Sequence, residues 1–75
     1  MHTRHPTPGL YWDASYEIVL SLMEHHAGMD IEAVGLEQLC QLIVSLPNFA
    51  DDPALVNEGI LNTILREWYE EVNAR

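Results

Sequence analysis

In the last third of the chain an apolar residue returns at every fourth position: Val56, Ile60, Ile64, Trp68 and Val72, with Leu61 and Leu65 beside the row. Residues at this spacing share a face only in an α-helix, and a face this wide must be covered by other parts of the chain. The stretch from Phe49 to Glu71, FADDPALVNEGILNTILREWYEE, therefore predicts a long helix entered through an acidic turn. Pro53 suits the first helical position. Asp51 or Asp52 supplies a cap for the first free N–H groups, with negative charge at the positive end of the helix dipole. Gly59 costs about 1 kcal/mol relative to alanine in a helix interior. It predicts either close packing against another element or a helix that starts later, near Asn57.

The covering partners must come from a chain of 75 residues, which is one small domain. Asp13 is the expected N-cap of a first helix. Ala14, Ile18 and Leu22 form its inner row, and Val19 and Met23 lie beside it. This helix should end near His26 or Ala27, with Gly28 as a left-handed terminator. Asp30 is placed to cap a single turn in the connection that follows. A second helix is expected from about Leu36 to Leu46. Leu39, Ile43 and Leu46 face inward, Leu36, Cys40 and Leu42 broaden the face, and Pro47 stops it. Phe49 should anchor the next turn. Ile18, Leu22, Leu39, Ile43, Phe49, Ile60, Ile64 and Trp68 are the expected core. Residues 1–8, aperiodic and with two prolines, read as a flexible tail, and 9–75 as the domain. The fold class is all-α, with three helices.

Charge narrows the function. Twelve Asp and Glu oppose three Lys and Arg, a net charge of −9, and between Arg4 and Arg75 only Arg66 is positive. Phosphate backbones repel such a surface, so nucleic acid is not an expected partner. Basic protein surfaces and metal cations are. The bland alternative is that acidity serves solubility alone. No apolar run approaches a membrane span and no apolar signal-peptide core precedes the domain, so a cytoplasmic monomer is expected. The single cysteine excludes an internal disulfide framework; Cys40 reads as a small core residue rather than a sulfur acceptor or metal ligand. His2 and His5 lie in the tail without further ligands. His25 and His26, adjacent on a helix, do not converge on one ion and suit its C-terminal dipole. There is no phosphate-cradling glycine loop, nucleophile elbow or His-Glu-x-x-His, so no enzyme is expected.

The order Phe49, Asp51, Asp52, Pro53, Asn57, Glu58, Ile60, Leu61, Ile64, Trp68, Glu71 resembles the signature of the IscX family, small acidic accessory proteins of bacterial iron–sulfur cluster assembly. Leu10, Trp12, Ser15, Glu17, Ile18, Leu22, Asp30, Val34, Leu39, Ile43 and Leu46 fall on the same pattern, and residues 9–71 align without a gap. The resemblance implies a compact helical domain similar to a winged helix with a reduced wing. It implies weak binding of ferrous iron by surface carboxylates and docking on the basic surface of a cysteine desulfurase. There such proteins compete with frataxin and modulate sulfur delivery to the scaffold. The chain departs from the family pattern at Gly28, Gly35, Glu37, Leu42 and Ala50, where an acid, a base, a threonine, an aromatic and an acid are usual.

The candidate sites follow. Asp51, Asp52 and Glu58 are the expected iron ligands, and carboxylates suit weak binding of Fe²⁺. Asp51, Asp52, Glu67, Glu70 and Glu71 are the expected partner-binding acids. A rise of about 1.5 Å per residue sets Asp51, Asp52 and Glu58 roughly 18–20 Å along the helix from Glu67, Glu70 and Glu71, too far to share one ion. An apolar patch around Trp12 or Trp68 is the alternative contact surface. A generic acidic interaction module, or a nucleic-acid mimic, is the alternative function.

Overall fold

A computed structural model describes residues 9–74. Its order is α1 (Ser15–His25), a 3₁₀ turn (Ile31–Ala33), α2 (Leu36–Val44), a second 3₁₀ turn (Pro53–Leu55) and α3 (Glu58–Asn73). The domain is all-α, with no strand among the described residues. Helices α1 and α3 form the main pair, α2 packs on both, and the first 3₁₀ turn closes against α3. No helix among the described residues is long and apolar enough to cross a membrane. The expectations for His2, Arg4, His5 and Arg75 lie outside the described residues.

The core draws Ile18, Val19 and Leu22 from α1, Leu39 and Ile43 from α2, and Leu61, Ile64 and Trp68 from α3. The connections add Leu10, Trp12, Ile31, Val34 and Leu46. Phe49 is half-buried and meets Trp12 edge to face, with ring centroids 5.0 Å apart. It pins the turn after α2 to the core, as expected. Gly28 takes φ +86° after α1, the left-handed position that favours glycine. Asp30 caps the first 3₁₀ turn by accepting from the Glu32 N–H at 3.2 Å. Leu46 is buried just beyond α2, held by a turn from its N–H to the Ile43 carbonyl.

Three expectations are corrected. The long helix does not open at Pro53. Val56 and Asn57 are extended, and Asn57 starts α3 by accepting from the Ile60 N–H at 2.9 Å. The stretch holds two caps, and each begins its own element: Asp52 accepts from Ala54 N–H and starts the 3₁₀ turn, while Asn57 starts the helix. Gly59 is then an exposed first-turn residue, which accounts for its presence without close packing. The inner row of α3 runs through Leu61, Ile64 and Trp68. Ile60 is half-buried and Val72 is 43% exposed, because α1 and α2 do not extend far enough to cover both ends.

Asp13 does not cap α1. The helix is preceded by Ala14, which makes no side-chain cap and is not part of the inner row. A turn from Ala14 N–H to the Tyr11 carbonyl sets the entry, and the Ser15 hydroxyl donates to Glu67 Oε1 at 2.9 Å. A carboxylate from α3 thus stands at the positive end of α1, where a local cap was expected. Trp12 and Trp68 are 4% and 1% exposed, so any apolar contact around them is made by their neighbours rather than by the indoles themselves.

A parallel bridge joins Leu10 to Phe49 and ties the chain's entry to the acidic turn. Leu10 N–H donates to the Asn48 carbonyl, and Ala50 N–H donates to the Leu10 carbonyl, at 2.8 and 2.9 Å. Gly9 makes this approach possible: a Cβ there would stand 2.6 Å from the Ala50 Cβ, a distance that carbon atoms do not tolerate.

Candidate partner-binding face

The acidic turn is built by its own carboxylates. Asp51 Oδ2 accepts from the Trp12 N–H at 2.9 Å, and Oδ1 accepts from the Asp52 N–H at 2.7 Å. The Trp12 indole Nε1–H donates to the Asp52 carbonyl at 2.9 Å. Residues 11–12 and 51–52 are therefore clasped from both sides, with the indole buried between them. The bonds from N–H groups to an ionised carboxylate are the stronger kind. Asp52 then caps the 3₁₀ turn, and Pro53 fixes its first backbone angle.

Glu67 is the second point of attachment. Its bond to Ser15 places it beside the segment that also holds Asp51, three residues after Trp12. Asp51 from the turn before α3 and Glu67 from within α3 thus meet a single short stretch at the entry to α1. Asp13 lies in that stretch, exposed, with Glu17 exposed one turn along. Glu71 is one turn beyond Glu67 on the same side of α3, half-buried, and Glu70 next to it is exposed. Sequence spacing did not show Asp13 beside Asp51. The signal was Ser15 and Glu67, a donor and an acceptor 52 residues apart, which no local pattern can pair.

All of this charge lies at the surface: among the described residues no buried side chain is polar or charged. For a metal ion, the donor set is open. Both Asp51 oxygens already accept backbone N–H groups, and Glu58 projects from the first turn of α3, exposed. Among the described residues no three His, Cys, Asp or Glu side chains are grouped to hold an ion. Asp51, Asp52 and Glu58 do not form a closed ligand cage. Cys40 is half-buried and packs against the core.

Fold and surface together define a small acidic helical domain whose charge, among the described residues, lies at the surface rather than in a buried site. A family profile described as iron–sulphur cluster assembly matches residues 10–73. The chain is also 36% identical over 62 residues to an uncharacterized protein of Pseudomonas aeruginosa, an alignment spanning 83% of this chain and 94% of that protein. The chain belongs to the IscX family of iron–sulphur cluster assembly.

Proposed function

We propose that this chain is a non-catalytic adaptor that docks its acidic face on the basic surface of a cysteine desulfurase in the cytoplasm and modulates sulfur delivery to the iron–sulfur scaffold. The observation that carries the reading, beside family membership, is the clasp that joins Asp51 and Glu67 to the entry of α1. It gathers Asp51, Asp52 and Glu67 around the segment that carries Asp13; Glu70 and Glu71 follow on α3, and Arg66, one turn before Glu70, is the one Lys or Arg among the described residues. A field of one sign steers a basic partner and raises the association rate, and salt screens it.

The test is a titration of the purified desulfurase at low and high salt. Association is expected to slow as salt rises. Asp13→Lys/Glu70→Lys should slow it further, by tenfold or more at low salt, with the fold intact because both side chains are exposed. Absence of binding at low salt would reject the reading.

Iron enters this reading as a weakly held ion on the same acids. Exposed carboxylates without a cage give low affinity for Fe²⁺, which stands near the bottom of the divalent series. Because Asp51 is committed to the clasp, the sharper variant is Asp52→Asn/Glu58→Gln. It should abolish the weak iron titration seen by calorimetry under anaerobic conditions. Tight binding that survives the double change would refute these ligands.

A further inference from the structure

One apolar feature on the acidic face remains unused. The second 3₁₀ turn holds Leu55 outward, 61% exposed, the most exposed large apolar side chain among the described residues. Tyr11, 48% exposed, stands across a shallow groove from it. The groove is lined by Tyr11, Trp12, Asp13, Asp51, Leu55 and Ile60. Its walls are rigid for reasons already given: the Asp51 carboxylate and the Trp12 indole lock residues 11–12 to 51–52, and Asp52 with Pro53 sets the turn that carries Leu55. A leucine displayed on a braced turn adds no backbone ordering cost when it is covered, only that of its own side chain.

We propose that this groove is the anchor of the partner contact and receives an arginine of the docking protein, its stem against Leu55 and its guanidinium over Tyr11 and beside Asp13. The inference rests on the adaptor reading above. Charge selects the occupant. Two acids, Asp13 and Asp51, line the groove, and no basic residue does. A second copy of the chain would bring a further −9 to the contact and be repelled. A purely apolar helix would cover the exposed Asp13 carboxylate without compensation. Arginine meets both surfaces at once: an apolar stem for Leu55, a planar cation for the tyrosine ring and donors for the acids. An aromatic or apolar centre inside a charged rim is also the usual anatomy of a binding hot spot.

Leu55→Ser and Tyr11→Ala test the anchor, since both side chains are exposed and their loss leaves the core untouched. Dissociation of the desulfurase complex is measured by surface plasmon resonance, beside wild type and Asp13→Lys/Glu70→Lys. Each groove variant should raise the dissociation rate about tenfold while its salt dependence stays that of wild type, since hot-spot truncations act mainly on dissociation. Unchanged dissociation rates in both variants, with wild type binding normally, would overturn the anchor and leave the adaptor reading standing. Sedimentation that shows a wild-type dimer abolished by Leu55→Ser would assign the groove to a second copy and overturn it as well. No wild-type binding at low salt would remove both readings together.

Discussion

Trp68→Ala is expected to leave the chain largely unfolded at physiological temperature. Trp68 is the largest fully buried side chain and sits on α3, the helix that packs most extensively against α1. Truncating a buried tryptophan costs about 3–5 kcal/mol, the sum of lost transfer energy and the cavity left behind. A chain of this length has on the order of 4–11 kcal/mol in all, at 0.05–0.15 kcal/mol per residue. Such a small core has few neighbours that can collapse into the gap. For a domain of this size each kcal/mol moves the melting temperature by about 4–8 °C, so a fall of more than 12 °C is expected. Thermal unfolding followed by circular dichroism measures it. A fall of only a few degrees would show that Trp68 is not buried in solution.

Asp51→Ala should cost about 1.5–3 kcal/mol, the range for hydrogen bonds made by a charged group. It deletes the acceptor for the part-buried Trp12 N–H as well as that for Asp52 N–H. The Trp12 bond is part-buried, so water replaces the carboxylate incompletely. Asp51→Asn keeps one carbonyl oxygen and should fall between wild type and alanine. Denaturant titration read by tryptophan fluorescence separates the three. Equal midpoints for all of them would remove Asp51 from the fold's support and return it to the surface acids. The expected result has a consequence for function: an acid that resembles a metal or partner ligand in the sequence also holds the face together. A loss of binding in an Asp51 variant therefore says little about direct contact, and Asp13, Asp52, Glu58 and Glu70 are the better probes.

The helices were legible because their signals are local. Rows at i, i+3 and i+4, Gly28 after α1, Asp30 before a turn and Pro47 after α2 each act within a few residues, and the structure follows them. Where two local signals overlapped, the sequence left the choice open. Pro53 with Asp52 and Asn57 with Gly59 both mark a helix start, and the extended backbone at Val56 and Asn57 gives each its own element. Asp13 differs for the opposite reason: α1 starts one residue later, after Ala14, with no side-chain cap, and the carboxylate near its start is Glu67, brought to the Ser15 hydroxyl by packing.

By itself the sequence determined the all-α class, the three helices, most of the core and the acidity that sets what can approach. These depend on short-range geometry and on a sum over residues, and neither needs a tertiary arrangement. Only the tertiary structure decided which acids lie together and what each of them does. Asp51 meets Trp12 across 39 residues, and Ser15 meets Glu67 across 52. Those pairings arise when α1 is laid against α3 and the Leu10–Phe49 bridge closes, and no periodicity encodes them. The same packing buried both tryptophans and left Tyr11 and Leu55 in water. Spacing along a helix says that a face is apolar, but only the elements packed against it decide how much of that face is covered.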